Sequence, residues 1–252
     1  MASPRQAITF FLRRVIPFGI RFRDLEAYRI SRWSHGRLPR VHLPRILPEI
    51  ESVGITLVNI YKRTLGTSID AGELMILCAI ERFIGANNVL EIGTYDGNTA
   101  LNLAANLSGG GCVTTIDLPA DWDGRFVYEV PPSLQNVTDR KAIGIQYRQT
   151  AYEPRIRQVL GDSAGIDWKI LNPPFDLIFI DGCHYYEYVK KDTENALRNL
   201  RRGGVIVWHD YGEFKDVSRA VDETAKQITV HSIRGTRLAI GWASTPLRTN
   251  PW

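Results

Sequence analysis

Residues 89–99 read Val-Leu-Glu-Ile-Gly-Thr-Tyr-Asp-Gly-Asn-Thr. An apolar strand runs into a turn carrying Gly93 and Gly97, and a helix opens after it. The next apolar run, Cys112 to Leu118, delivers an acid, Asp117, near its end. A strand, a glycine turn, a helix start and a carboxylate about 20 residues on form the grip of a doubly wound sheet on a nucleotide-like ligand. The glycines let backbone come close, the helix start offers unpaired N–H groups, and the carboxylate accepts from ribose hydroxyls. The candidate cofactor residues here are Glu91, Gly93, Thr94, Gly97, Asn98, Thr99 and Asp117. Their pattern, Glu91-x-Gly93-x-x-x-Gly97-x-Thr99, is not the G-x-G-x-x-G of dinucleotide enzymes.

Outward from this stretch the apolar spacing alternates between strand and helix. Strands are expected at 89–93, 112–117, 156–161, 175–181 and 203–208, with helices near 98–107, 185–200 and 215–227. Phe175 to Ile180 and Gly204 to Trp208 are nearly unbroken apolar runs, as parallel strands covered on both faces require. Two further strands in 228–242, around Arg234-Gly235, make an antiparallel hairpin at the end of the sheet. The fold class is therefore α/β, a doubly wound, mostly parallel seven-stranded sheet with a C-terminal hairpin. Residues 49–84 read as helical; Asp70 and Glu73 form a capping box within them, and Gly85 ends the helix. Residues 119–137, with Trp122, Phe126, Tyr128 and Pro131-Pro132, break the rhythm and read as a lid or a packed insertion.

Ligands of such sheets sit beyond the carboxyl ends of the strands. Polar groups cluster at those ends: Asp117, Asp162-Ser163, Asp181 to His184, and His209-Asp210-Tyr211. The stretch Ile180-Asp181-Gly182-Cys183-His184-Tyr185-Tyr186-Glu187-Tyr188-Val189, followed by Gly203-Gly204-Val205-Ile206-Val207-Trp208-His209-Asp210-Tyr211, resembles bacterial S-adenosylmethionine (SAM) O-methyltransferases. These are the macrocin and mycinamicin type sugar enzymes and the cephalosporin-hydroxylase-like proteins, within the class I SAM methyltransferases. The resemblance covers about 70–242. It implies a Rossmann-like methyltransferase fold and SAM as cofactor. It also implies Asp162, Ser163 and Asp181 in cofactor binding and His184 as general base. A divalent metal would be held by Asp181 and Asp210. His209 stands where the family has an acid, which adds it to the metal candidates; the set then suits Mg, Mn or Fe. The chemistry is coherent without the family. A hydroxyl is a weak nucleophile at neutral pH, and an imidazole beside it can take its proton.

At 252 residues, with 44% hydrophobic and 23% charged residues, the chain suits one α/β domain with additions. The net charge of +4 is uneven. Residues 1–50 carry +7, from ten arginines against three acids, so the remainder carries −3. The expected organisation is an Arg-rich extension over 1–50 and a SAM methyltransferase domain over 51–252. Such charge placement argues against nucleic acid, which asks for cations across the folded domain. The extension is read as an arm for a membrane surface or protein partner, or as a helix packed on the domain. A homo-oligomer stays open. Three cysteines, read as free thiols, point to a reducing compartment, the cytoplasm, with membrane association through the arm as the variant. The reading is an O-methyltransferase acting on a hydroxyl of a small molecule, a sugar or glycosylated metabolite. The alternatives are a degenerate SAM-binding or interaction protein and a nicotinamide-dependent oxidoreductase.

Overall fold

The structure is a computed structural model that describes residues 35–59, 69–122, 125–131 and 142–242. Eight strands form one sheet: β1 (Arg40–Val41), β2 (Asn88–Ile92), β3 (Cys112–Asp117), β4 (Ile156–Leu160), β5 (Phe175–Ile180), β6 (Leu200–Trp208), β7 (Thr229–Ile233) and β8 (Ala239–Trp242). Their order is β1-β7-β8-β6-β5-β2-β3-β4. Every neighbouring pair is parallel except those of β8, which runs antiparallel to both β6 and β7. The helices are α1 (Leu43–Ile46), α2 (Ala71–Phe83), α3 (Asn98–Asn106), α4 (Tyr186–Asn199) and α5 (Lys215–Thr224).

The unbroken apolar runs have a direct structural cause. Successive side chains of a strand point to opposite faces, and both faces are covered. Val89, Leu177, Phe179, Val205 and Val207 join one core with α2 and α3. Leu90, Ile92, Ile178, Ile180, Ile206 and Trp208 join the other with α4 and α5. The chain leaves β2 in one direction, to β3 and β4, and returns to its other side with β5. The crevice where the order reverses opens beyond Ile92 and Ile180, which are register partners.

Three expectations change. The sheet has eight strands instead of seven, because β1 adds a parallel edge beside β7. Residues 35–50, grouped by charge with the Arg-rich extension, are tied to the sheet. His35 N–H reaches the Gly212 carbonyl (3.1 Å), and Leu38 N–H reaches the Tyr211 hydroxyl (2.7 Å). The helix expected over 49–84 is confined, among the described residues, to a short 3-10 turn at Ile50–Ser52 and to α2. Residues 53–58 carry neither helix nor strand. Asn106 brackets Thr56, its Oδ1 accepting from the backbone N–H (2.8 Å) and its Nδ2 donating to the carbonyl (2.7 Å). Asn102 does the same for Val58 (2.7 and 3.0 Å). Paired donor and acceptor groups of two amides thus meet the backbone demands that a helix would have met internally. The arm reading for residues 1–34 lies outside the described residues.

Asp192, on α4, is 1% exposed and lies against Asp162 and Ser163, with Cys183 across from it and Lys191 beside it. Burial pushes its carboxyl up to about 7 from 3.8, against the pull of Ser163. The unfolded carboxyl therefore loses its proton first. Between about pH 4 and 7 the folded state binds more protons, so this group's contribution to stability falls as pH rises and levels off above 7. The melting advantage of Asp192→Asn over wild type is expected to grow by roughly 5 °C between pH 5 and pH 8, for on the order of 2 kcal/mol. A melting difference independent of pH rejects this.

Candidate active site

The turn after β2 is shaped by three left-handed residues: Gly93 (φ 102°), Tyr95 (φ 46°) and Gly97 (φ 83°). The Asp117 carboxylate spans it, Oδ2 accepting from Tyr95 N–H (2.8 Å) and Oδ1 from Leu118 N–H (2.8 Å). Asp96 accepts from Asn98 N–H at the start of α3 (3.0 Å). A Cβ on Gly97 would lie 2.6 Å from the Tyr147 ring and 2.8 Å from Gly144 Cα. Gly97 therefore serves the packing of a neighbouring segment, which also donates Gly144 N–H to Tyr95 O and Gln146 N–H to Asp96 O.

Beneath the turn runs a chain of hydrogen bonds. Tyr147 Oη donates to Gln158 Oε1 (2.7 Å), Gln158 Nε2 donates to Thr94 Oγ1 (3.0 Å), and Thr94 Oγ1 lies 2.7 Å from Thr115 Oγ1. Thr115 donates to Glu91 Oε2 (2.5 Å). Glu91 is 0% exposed and its Oε1 has no partner among the described residues. Burial pushes its carboxyl well up; the Thr115 bond opposes this, and Asp181, Asp117 and Asp96 add to it. Glu91 and Thr94 therefore form the floor of the turn.

Asn98 and Asp162, expected at the cofactor, are hydrogen-bonded within the protein. Asn98 offers its carbonyl (2.8 Å) and its Oδ1 (3.3 Å) to Asn102 Nδ2. Asp162 takes Tyr188 Oη (2.5 Å) and Val127 N–H (2.9 Å) on Oδ2, and Ala164 N–H (2.9 Å) on Oδ1. This ties down the described part of the 119–137 insertion. There Phe126 and Tyr128 both meet the Tyr188 ring edge-to-face. Ser163 accepts Trp168 Nε1 on its carbonyl (3.0 Å), and Thr99 is buried in the first turn of α3.

The ends of β5 and β6 carry the titratable centre. Asp181 and Gly93 are forced together at the reversal of strand order: a Cβ on Gly93 would stand 2.1 Å from the Asp181 carbonyl oxygen. His184 Nε2 meets Asp210 Oδ2 at 2.9 Å, and its ring stacks on Phe214 with 4.3 Å between centroids. Asp210 is 4% exposed and holds a left-handed backbone (φ 57°), an uncommon conformation that clusters at functional sites. Burial alone would raise the Asp210 carboxyl, but His209 and His184 hold it well below the carboxylate range. Burial alone would lower the His184 imidazole, and Asp210 turns that into a rise.

His209 differs from its expected place among the ligands. Its Nδ1 faces Asp181 Oδ1 (2.9 Å) and its Nε2 faces Glu73 Oε2 (3.0 Å). Carboxylates only accept, so both ring nitrogens carry protons and the ring is an imidazolium. Burial alone would lower its pKa; Asp181 and Asp210 drive it well up. The set whose donor atoms converge is Asp181, His184 and Asp210, all within 4.8 Å of one another. Two carboxylates and an imidazole fit a divalent cation in donor type and spacing. Asp117 ends β3, Asp181 follows β5 and Asp210 lies just beyond β6, so three acids stand at the carboxyl ends of these strands.

Sequence reasoning missed Glu73 as a site residue and Arg237 altogether. Glu73 read only as a helix cap, and Arg237 follows a hairpin turn with no motif around it. Arg237 Nη1 reaches Asp210 Oδ1 at 3.0 Å, and Nη2 reaches Glu73 Oε2 at 2.7 Å. The three cysteines are free as expected, though only Cys78 is fully buried. No helix among the described residues is long and apolar enough to cross a membrane.

Residues 90–211 match a family model described as a methyltransferase domain. A protein of Mycolicibacterium vanbaalenii assigned as an O-methyltransferase is 27% identical over 165 residues, 63% of this chain and 61% of the relative. The chain thus spans about three fifths of the length of that curated relative. The SAH-bound methyltransferase of Podospora anserina superposes with a TM-score of 0.56 at 16% identity, covering 92% of this chain and 99% of that one. The O-methyltransferase of Streptomyces achromogenes involved in tomaymycin synthesis, in complex with SAM, gives 0.54 at 15% identity, covering 97% and 100%. Residues 90–211 are thus similar to a methyltransferase domain, and the chain shares its fold with these two structures.

Proposed function

We propose that this protein transfers a methyl group from SAM to a hydroxyl oxygen of a small molecule, a sugar or glycosylated metabolite. The observation that carries the reading is the His184–Asp210 pair, which lies beyond β5 and β6 at the same carboxyl edge of the sheet as the glycine turn after β2 and Asp117 of β3. Asp210 accepts from His184 Nε2, which fixes that proton and leaves Nδ1 as the basic nitrogen. His184 would take the acceptor's hydroxyl proton at Nδ1, with Asp210 stabilising the imidazolium that forms. Asp117, at the end of β3, would accept from the hydroxyls of the ribose. The donor supplies a methyl group on a positively charged sulfur, whose departure needs no acid. Most of the remaining work of these residues is to align the acceptor oxygen with that methyl group. Asp181 and Asp210 would hold a divalent metal beside the His184 base; when bound, it supplies positive charge that makes a nearby hydroxyl more acidic.

The test is calorimetry with SAM and with NAD, followed by methyl transfer from labelled SAM to pooled hydroxylated acceptors. SAM affinity and a labelled product are expected. NAD affinity without SAM affinity rejects the reading. Asp117→Ala is expected to weaken SAM binding by roughly 1–3 kcal/mol, through lost charge-assisted bonds and a loosened turn. Unchanged affinity would move the ribose elsewhere.

A further inference from the structure

Behind Asp181 and Asp210 lies a second layer of charge. Glu73 stands in the first turn of α2 and shares a capping box with Asp70: Glu73 N–H donates to Asp70 Oδ1 (3.0 Å) and Asp70 N–H to Glu73 Oε2 (3.4 Å). Yet it is 3% exposed, and glutamate is almost never so buried unless it is paired. Its Oε1 accepts from Arg237 N–H (2.6 Å) and Nε (3.2 Å), and its Oε2 from Arg237 Nη2 (2.7 Å) and His209 Nε2 (3.0 Å). From there two arms reach the site. Arg237 Nη1 meets Asp210 Oδ1 (3.0 Å), and His209 Nδ1 meets Asp181 Oδ1 (2.9 Å). Arg237 Nη1 also lies 3.6 Å from Glu213 Oε2.

We propose that Glu73 and Arg237 are positioning residues for this site, acting as one clamp on Asp181 and Asp210. The clamp commits Oδ1 of each aspartate to the scaffold. Asp210 Oδ2 is thereby aimed at His184 Nε2, and Asp181 Oδ2 is left for what lies in front. The planar guanidinium is suited to this role, since it matches a carboxylate with two parallel bonds and still has a donor for a second acid. Lysine would keep the charge and lose the fork. A tie that served the fold alone would join α2 to the β7–β8 turn and have no need of His209 or Asp210. The functional consequence rests on the methyl-transfer reading, but the geometry of the clamp is testable without it.

The experiment compares Arg237→Lys, Glu73→Gln and the double variant with wild type. The proposal expects kcat to fall about 10²-fold in each single variant, the scale of a small misplacement at a reacting centre. The KM for acceptor and the affinity for SAM should stay within a few-fold. The double variant should be no slower than the worse single, because the two residues act as a unit. The ¹⁵N signals of His184 give a readout independent of turnover. The wild type should show one tautomer with the proton on Nε2, and Arg237→Lys should show a mixture. Wild-type kcat in a folded Arg237→Lys variant overturns the proposal, and so does an unchanged His184 tautomer. If the wild type methylates nothing, the function proposed above fails, and the tautomer measurement alone decides the clamp.

Discussion

His184→Ala is expected to leave SAM affinity within a few-fold of wild type and to lower turnover by about 10²–10⁴-fold, the usual share of a general base. The separation of the two effects follows from position. His184 pairs with Asp210 and stacks on Phe214 beyond β5, whereas Asp117, proposed to hold the ribose, ends β3 on the other side of β2. Fold loss is not expected, because Asp210 keeps Arg237 as a partner when the imidazole goes. The comparison variant is His209→Ala. His209 follows β6, but it is 5% exposed and spends both ring nitrogens on Asp181 and Glu73. It has no nitrogen left to take a proton, so its loss should act through disorder of the half-buried Asp181 and through the buried Glu73 left short of a partner. Wild-type turnover in His184→Ala, measured at saturating SAM, would remove the imidazole from the chemistry.

Gly93→Ala is expected to abolish SAM binding and to destabilise the protein by more than ~3 kcal/mol, an exceptional cost for a single methyl group. Two penalties combine. The residue has φ 102°, where a side chain is strained, and its Cβ would stand 2.1 Å from the Asp181 carbonyl oxygen and 2.6 Å from the carbonyl carbon. Those atoms are backbone, so no rotamer change relieves the clash, and β2 or the end of β5 must move. Because β5 carries Asp181, the cofactor turn and the titratable centre would be disturbed together. Thermal melting and calorimetry check both halves. A variant that folds and binds SAM like wild type would mean that the two strand ends separate more easily than their packing implies.

The largest effects come from the two features that the sequence shows least equally. The glycine turn was legible because its signal is local: a short apolar strand, two glycines four apart, and an acid at the end of the next strand. Even so, the reason for Gly97 was legible only in part. Its missing Cβ makes room for Tyr147 and Gly144, which lie nearly 50 residues further along the chain. The order of elements was legible for a similar reason. Strands covered on both faces must be apolar throughout, and helices between them keep their own period, so β3, β5, α3 and α4 fall within a residue or two of their expected bounds. The helix expected over 49–84 failed at 53–58 because its apolar spacing carried no trace of the asparagines on α3 that hold this segment.

By itself the sequence determined the α/β class, the central run of parallel strands, the C-terminal hairpin, and the residue types at the strand ends, since each depends on local propensity or on burial of both sheet faces. The tertiary structure alone decided which of those residues meet. It gave Asn98, Thr94 and Asp162 hydrogen-bond partners within the protein, and it separated His184, paired with Asp210 through Nε2, from His209, whose two nitrogens are both engaged by carboxylates. It also brought Glu73 and Arg237, 164 positions apart, to the back of Asp181 and Asp210. The physical reason is that hydrogen bonds and ion pairs between distant segments depend on chain crossings that leave no periodicity in the sequence. A buried carboxylate must find its cation wherever the fold supplies one.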